Sequence, residues 1–314
     1  MANKHYGNIG DIWKHLPLAE IVAIEQPRRY WESHAGSAQY RLAHSDDRDY
    51  GVFGFLAGAS ESIDLGESGF VCLLDGLRTK TGRLRTYPGS PRIAMELLGK
   101  RAEYVFCDID GGSLATIRRA ARSLGIPARS VKRIKADGVV TLAGALERLP
   151  AGDRAGTLVF IDPCAGDEPF TRTGSRPSPM DLFSVTVAAG AKAALWYWFE
   201  SRADRESAWG NMWASLADRG VRPEAVRLWA GEICLEAIDR PGSYDPGIKG
   251  CGILCGNLSG RAVSASSRLG YELSRIYRRS RLPDGTTGAF DFRSIPLEIA
   301  VVEGPRREAR ERNV

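Results

Sequence analysis

One apolar run, residues 157–161, ends directly at a carboxylate and a proline, Asp162 and Pro163, and continues into Cys164. A carboxylate at the end of a buried strand can accept a hydrogen bond or a proton from a reacting group. These three residues are therefore the candidate catalytic residues. A nucleophilic role for Cys164 is the weaker alternative, because no histidine is adjacent to it in the sequence; a small buried side chain is the other interpretation.

Three further strand-like runs end in residues suited to ligand binding. The turn Ser33-His34-Ala35-Gly36 is made of small residues that let the backbone approach a ligand, and Asp108 ends a second run. Asp137 and Gly138 follow a third. Ligands of open parallel sheets bind where the strands end, and a carboxylate at Asp108 could accept both hydroxyls of a ribose. Asp137 could accept a hydrogen bond from an adenine amino group.

Each of these acids could instead cap a helix or close an Asx turn. Their order along the chain favours the ligand interpretation, because a small-residue turn, a ribose acid, an adenine acid and Asp162 follow at successive strands. The order predicts a nucleoside-bearing cofactor. S-adenosylmethionine fits better than a dinucleotide, since nothing after the first turn completes a pyrophosphate site at a helix N-terminus.

The elements that must position these residues alternate between strand and helix patterns, which predicts a parallel sheet covered by helices on both faces. Residues 1–45 hold an N-terminal helix and the first strand, and the glycine-rich stretch 46–92 is interpreted as an inserted helical subdomain. Residues 93–304 complete the main domain with late antiparallel strands, the last predicted at 295–302, and 305–314 form a charged tail.

Composition sets wide limits on function. The 314 residues are 43% hydrophobic and carry a net charge of +5, so a polyanionic partner is permitted without being required. All four histidines lie within the first 44 residues and the six cysteines are scattered, so no metal site is expected. The scattered cysteines and the absence of a signal peptide or a membrane-length apolar run predict a cytoplasmic protein.

Several motifs, in the same order and with similar spacing, resemble those of the large-subunit ribosomal RNA adenine-N6 methyltransferases of the RlmJ type. They extend over nearly the whole chain. They are His5-Tyr6-Gly7-Asn8 with Asp11-Ile12-Trp13-Lys14-His15, Ser33-His34-Ala35-Gly36 with Tyr40, Tyr87-Pro88-Gly89-Ser90-Pro91, Lys135-Ala136-Asp137-Gly138, Ile161-Asp162-Pro163 and Leu195-Trp196-Tyr197.

The resemblance implies a Rossmann-like class I methyltransferase fold of α/β type, with a largely parallel seven-stranded sheet, helices on both faces and a small helical insertion. It implies S-adenosylmethionine as the cofactor and adenine N6 of ribosomal RNA as the acceptor. The candidate cofactor-binding residues are His15, His34, Gly36, Ser90, Asp108, Asp137, Gly138 and Asp162. The candidate substrate-binding residues are Lys4, His5, Lys14, Trp196 and Trp198.

The chain departs from the family at the acceptor end. The family's turn reads Asp-Pro-Pro-Tyr, and its aromatic ring stacks on a flipped adenine, whereas this chain has Cys164 and Ala165 there. Stacking contributes about 1–3 kcal/mol, so adenine binding weakens unless another ring substitutes. The candidate rings are Phe170, Trp196, Tyr197 and Trp198, which could also simply fill the core.

Three functions remain open at this point. The first is methylation of adenine N6 in ribosomal RNA, and the second is methylation of a small-molecule amine in a biosynthetic pathway. The altered turn and the modest net charge motivate the second. The third is nucleoside or RNA binding without turnover.

Overall fold

The computed structural model describes residues 6–163, 176–199, 202–234, 250–277 and 290–297. The strands in these ranges are β1 (Arg29–Glu32), β2 (Gln39–Arg41), β3 (Thr86–Pro88), β4 (Glu103–Asp108), β5 (Val131–Lys135), β6 (Thr157–Ile161), β7 (Lys192–Phe199), β8 (Leu228–Cys234), β9 (Gly250–Gly256) and β10 (Asp291–Pro296). The helices are α1 (Ile9–Glu25), α2 (Asp46–Arg48), α3 (Gly54–Ala59), α4 (Ile63–Gly66), α5 (Gly69–Gly76), α6 (Ser90–Leu98), α7 (Gly111–Ser123), α8 (Gly138–Arg148), α9 (Ala151–Arg154), α10 (Pro179–Ala188), α11 (Arg202–Asp218) and α12 (Gly260–Tyr277).

Eight strands form one sheet in the order β10-β8-β9-β7-β6-β1-β4-β5. The pairs among β5, β4, β1, β6 and β7 are parallel, whereas β9 is antiparallel to both β7 and β8, and β10 is antiparallel to β8. The α/β Rossmann-like fold is thus confirmed, with eight strands in place of the expected seven. The parallel half ends on one side at β5, which pairs with no further strand among the described residues.

The central strand β6 shows why the sheet is covered on both faces. All five of its residues are buried, and a continuous apolar run is typical of a parallel strand with helices on each side. Leu158 and Phe160 pack on one face with α1, α6, α7 and α12. Val159 and Ile161 pack on the other with α8 and α10.

Four short helices, α2 to α5, lie between β2 and β3, which pair with each other as a separate two-stranded sheet. These helices fall within the stretch 46–92 that the sequence marks as an insertion. They pack on the main domain, since α5 contacts α1 and α6 while α3 and α4 contact α12. The division of the chain into domains stays a prediction.

Most of the predicted elements are present, with shifted ends. The predicted helix after Pro91 begins earlier, at Ser90, and the last described strand covers Asp291–Pro296 where 295–302 was predicted. The charged tail 305–314 lies outside the described residues. Among the described helices, none combines the length and the hydropathy that crossing a membrane requires.

Candidate active site

The strand ends predicted to bind a ligand meet at the carboxyl edge of the parallel sheet. The turn after β1 is tied to the end of β4, because the backbone N–H of Gly36 donates to Asp108 Oδ2 at 2.7 Å and that of Ala35 donates to the Cys107 carbonyl at 2.9 Å. Gly36 has φ +59°, a conformation that favours glycine. The small-residue turn is therefore held rigidly against Asp108.

Asp108, the last residue of β4, and Asp110, two residues later, accept different hydrogen bonds. Asp108 is half-buried and its Oδ1 accepts a hydrogen bond from the backbone N–H of Asp110 at 2.7 Å. Asp110 instead caps α7, accepting from the backbone N–H groups of Gly112 and Ser113. Each oxygen of Asp108 accepts one backbone hydrogen bond and keeps further lone-pair capacity, which leaves it able to accept ribose hydroxyls.

Asp137 caps α8 through Oδ1, and its Oδ2 accepts from Arg176 Nε at 2.6 Å. Burial alone would raise the pKa of Asp137, but the Arg176 hydrogen bond and the backbone N–H donors outweigh it and lower the pKa. Gly138 abuts the first turn so closely that a Cβ there would lie 1.8 Å from the Ser33 carbonyl oxygen. The turn after β5 therefore packs directly on the turn after β1.

Two apolar side chains at this edge were missed by the sequence reasoning. Ile109, next to Asp108, is 76% exposed, and Val140, three residues after Asp137, is 51% exposed. An aliphatic side chain one residue after Asp108 and another three residues after Asp137 are the signal that could have identified them. Both side chains would lose water contact if an apolar ring bound between these two turns, and such burial is favourable.

At the end of β6, Asp162 forms an ion pair with a residue of α1. Lys14 Nζ lies 2.8 Å from Asp162 Oδ2 and 2.9 Å from Asp11 Oδ1, and the side chains of Lys14 and Asp162 are only 11% and 14% exposed. Burial raises the pKa of Asp162, although the Lys14 ammonium acts against this. Burial would also raise the pKa of Asp11, but Lys14 outweighs it and lowers the pKa.

The aromatic candidates on β7 divide between the two faces of the sheet. Trp196 and Trp198 are half-buried, with ring centroids 5.3 Å apart, and Lys14 Nζ lies 5.2 Å from the Trp196 ring centroid. Tyr197 is buried on the opposite face, where its hydroxyl donates to Glu232 at 2.7 Å. Trp196 and Trp198 thus lie on the Lys14 side, and Tyr197 is a core residue.

His15 and Ser90 lie deeper than the other predicted cofactor residues. His15 Nδ1 is 2.8 Å from the Tyr87 hydroxyl, and burial, aided by Lys14, lowers the pKa of His15 to about 3. The Ser90 hydroxyl donates to Glu32, a buried carboxyl at the end of β1. The roles of His15 and Ser90 in cofactor binding stay predictions.

Glu32 is a residue that the sequence analysis did not single out, although an acid inside an apolar strand just before the small-residue turn was a usable signal. Burial raises the pKa of Glu32 well above its usual range, while the Ser90 hydrogen bond acts in the opposite direction. His34 follows in the turn, and its Nδ1 is 2.8 Å from Ser33 Oγ. A buried carboxyl therefore lies directly below the predicted cofactor turn.

Some predicted residues lie outside the described residues: Lys4, His5, Cys164 and Phe170. In the described part of the chain, no group of three or more His, Cys, Asp and Glu side chains is placed to hold a metal ion. Of the three candidate catalytic residues, the structure describes Asp162 and Pro163.

No protein-family model and no curated protein matches the chain. Among solved structures, its fold is similar to that of protein LPL1258 from Legionella pneumophila, described as family-model DUF519, with a TM-score of 0.67 and 19% identity over 93% of this chain and 98% of the other. At this identity the similarity shows a shared fold.

More distant similarities are found to cofactor-bound Rv0187 from MTB, with a TM-score of 0.35 and 12% identity over 78% of this chain and 80% of that one. The SAM-dependent methyltransferase from Agrobacterium tumefaciens gives a TM-score of 0.35 and 15% identity, over 78% of this chain and 59% of that one. Scores this low establish nothing about function.

Proposed function

We propose that the chain is an S-adenosylmethionine-dependent methyltransferase that methylates an amino group. The observation that carries the proposal is the pairing of polar and apolar groups at two neighbouring strand ends, where Asp108 precedes exposed Ile109 and Asp137 precedes exposed Val140. A nucleoside has this dual character, with ribose hydroxyls that donate to carboxylates and a planar base that covers apolar side chains.

The residues present fit the cofactor. Asp108 would hold the ribose, Asp137 and the turn at Gly138 would adjoin the base, and the turn ending at Gly36 would contact the remainder of the ligand through its backbone. The close packing of Gly138 on the Ser33 carbonyl keeps these turns in a fixed relation. When bound, S-adenosylmethionine supplies an electrophilic methyl group on a sulfonium centre.

Asp162 is the group that orients the acceptor. An acceptor amine that donates an N–H to Asp162 would have its lone pair directed away from the carboxylate, and Asp162 or solvent would take the proton that the nitrogen must lose. Lys14 opposes the effect of burial on the Asp162 pKa and so favours the ionised carboxylate. Most of the rate would come from positioning the two reacting groups.

By resemblance, the acceptor is adenine N6 of ribosomal RNA. Trp196 lies next to Lys14, and so at the Asp162 end of the sheet, and Trp198 contacts the Trp196 ring. We propose that one of these two rings stacks on the base in place of the family's missing tyrosine. The proposed partner is therefore RNA, and the proposed process is RNA methylation during rRNA processing.

A small-molecule amine is the second candidate acceptor. It is favoured by Cys164 and Ala165, which remove the proline and the ring that position adenine in the family. The two candidates share the cofactor and differ only at the acceptor end.

Calorimetry with S-adenosylmethionine tests the cofactor. We expect binding by the wild-type protein and at least about tenfold weaker binding by Asp108→Ala, since a hydrogen bond to a charged group contributes about 1.5–3 kcal/mol. Asp137→Ser should also weaken binding, and it keeps an N-cap side chain for α8. Asp218→Ala, an exposed acid at the end of α11, is the matched control. Wild-type protein that binds no cofactor would overturn the proposal.

Transfer of a labelled methyl group tests the acceptor. The protein is incubated with labelled cofactor and either total RNA or a small-molecule extract, and the labelled fraction is identified. Asp162→Ala should abolish labelling in a protein that still folds. Label in the small-molecule fraction alone would exclude the RNA acceptor, and label in neither fraction would favour binding without turnover.

A further inference from the structure

Positive charge is concentrated in one segment of the chain. Residues 100–135 contain nine Lys and Arg against three Asp and Glu, a net charge of +6, whereas the whole chain carries +5. All the other residues together therefore have a net charge of −1. The mild overall charge thus hides one strongly cationic segment.

This segment forms the β5 edge of the sheet, beyond which the described ranges contain no further strand. It contains β4, the helix α7 and the edge strand β5, and α7 packs on both strands. We define the basic edge by its exposed cations on α7, on β5 and in the turn between them. They are Arg118, Arg119, Arg122, Arg129, Lys132, Arg133 and Lys135.

The cations of the basic edge make no ion pair or side-chain hydrogen bond with any of the residues that the structure describes. In contrast, several other arginines are paired, including Arg29 with Asp153 and Arg92 with Glu96. On α7, Arg122 lies three and four residues after Arg119 and Arg118, so these like charges are neighbours on one helix surface and repel each other.

Protection of an edge strand does not account for the whole cluster. Lysine and arginine on β5 discourage pairing with another strand, which explains Lys132 and Arg133. It does not explain Arg118, Arg119 and Arg122, because they lie on a helix that has no edge to protect. A polyanion that spans α7 and β5 accounts for both groups.

We propose that the basic edge binds the phosphate backbone of an RNA, outside the site of methyl transfer. Arginine suits this role because its planar guanidinium makes two parallel hydrogen bonds to phosphate oxygens. The inference rests on the proposed RNA acceptor, and it adds where that RNA is held. The basic edge extends from the turn before β5, at the amino edge of the sheet, to Lys135, which adjoins the cofactor turns at the carboxyl edge.

The test compares two triple variants with the same change in charge. The first is Arg118→Gln, Arg119→Gln, Arg122→Gln, which neutralises the exposed side of α7 with a good helix former. The control is Arg219→Gln, Arg222→Gln, Arg227→Gln, which neutralises exposed arginines near the start of β8, towards the other end of the sheet. Binding of a fluorescent single-stranded RNA is titrated by anisotropy between about 50 and 200 mM salt.

We expect the α7 variant to bind RNA about 10- to 100-fold more weakly than wild type at about 0.1 M salt, with a salt slope smaller by about 2, since each lost phosphate contact on a single strand contributes about 0.7 to the slope. The control should bind like wild type. Both variants should bind S-adenosylmethionine as wild type does, which shows that they are folded.

Equal RNA affinity of the two variants, or no RNA binding by wild type at low salt, would overturn the proposal. So would an α7 variant that keeps its RNA affinity but no longer binds vesicles of anionic lipid, because the edge would then recognise a membrane surface. RNA binding through the edge by a protein that binds no S-adenosylmethionine would support this inference and overturn the proposed methyltransferase, so the two can fail separately.

Discussion

Replacement of Lys14 by methionine should make the stability of the protein depend strongly on pH, through Asp162 and Asp11. Lys14 is the shared partner of two carboxylates, Asp11 at 2.9 Å and Asp162 at 2.8 Å, and all three side chains are almost excluded from water. Methionine keeps an unbranched apolar stem and removes the ammonium. The variant would therefore leave two buried carboxylates facing a site without a cation, which strongly favours protonation of at least one of them.

The magnitude follows from the free energy of that protonation. Breaking a buried ion pair by removal of one partner costs about 3–5 kcal/mol. The loss of stability from one unpaired carboxylate cannot exceed the free energy needed to protonate it. That free energy is about 1.4 kcal/mol for each pH unit above the ordinary carboxyl pKa of about 3.9. At pH 7 the limit is about 4 kcal/mol for each carboxyl, a large part of a typical domain's stability.

The sign of the pH dependence is fixed by the direction of the shift. In Lys14→Met the folded-state pKa of the affected carboxyl lies above its unfolded value, so the penalty is absent below the unfolded pKa and is complete above the folded pKa. The stability of the variant relative to wild type should therefore fall by about 1.4 kcal/mol per pH unit for each affected carboxyl as the pH rises from about 5 towards 7.

Urea denaturation followed by tryptophan fluorescence measures this difference across that pH range. Lys192→Met is the control, because Lys192 Nζ is 3.6 Å from a single carboxylate, Glu25, and its loss should give a smaller pH-dependent change. Adding Asp162→Asn to Lys14→Met should recover stability at pH 7. A difference between Lys14→Met and wild type that stays constant with pH, or a double variant no more stable than the single one, would refute the reasoning.

Three further predictions concern packing and the acceptor. Gly138→Ala should destabilise the protein by about 1–3 kcal/mol or more in denaturation, because its Cβ would overlap a backbone carbonyl. Gly144→Ala in the same helix is the control and should be neutral or stabilising by up to about 1 kcal/mol. Similar values for the two variants would contradict this reasoning. Tyr87→Phe should lower the free energy of unfolding by about 1–3 kcal/mol, because His15 Nδ1 loses its hydrogen-bond partner. Unchanged stability would show that this hydrogen bond is dispensable. Trp198→Ala should raise the acceptor KM about tenfold or more with an unchanged calorimetric Kd for S-adenosylmethionine, and an unaltered KM would exclude stacking there.

The local sequence was sufficient to predict the alternating elements and the strand ends. The apolar run of β6 and the acid that ends it are encoded within a few residues, so their positions could be predicted without tertiary information. The turn at Gly36 and the acids Asp108 and Asp137 could be identified as candidates for the same reason. For these acids the sequence offers helix capping and Asx turns as the alternative, because a capping acid and a ligand-binding acid have the same local pattern.

The acceptor end was less predictable because its contacts are long-range. Lys14 and Asp162 are 148 residues apart, and only the packing of α1 on the sheet brings them within hydrogen-bond distance. Exposure of Ile109 and Val140 likewise depends on which face of each turn the fold leaves uncovered. Glu32 was overlooked because a charged residue near a strand end is ordinarily interpreted as solvent-facing, whereas here the Ser90 hydroxyl satisfies it within the core.

The position of Lys14 bears on the choice between the two candidate acceptors. An aliphatic amine, with a pKa near that of lysine at about 10.4, is a cation at neutral pH, and it would have to enter beside the buried ammonium that already pairs with Asp162. Two like charges at such a distance disfavour each other strongly in a water-poor site. The exocyclic amino group of adenine is neutral and donates hydrogen bonds without bringing a charge. The Lys14–Asp162 pair therefore favours an aromatic amine over an aliphatic one, and so supports the nucleobase acceptor despite the altered turn at Cys164.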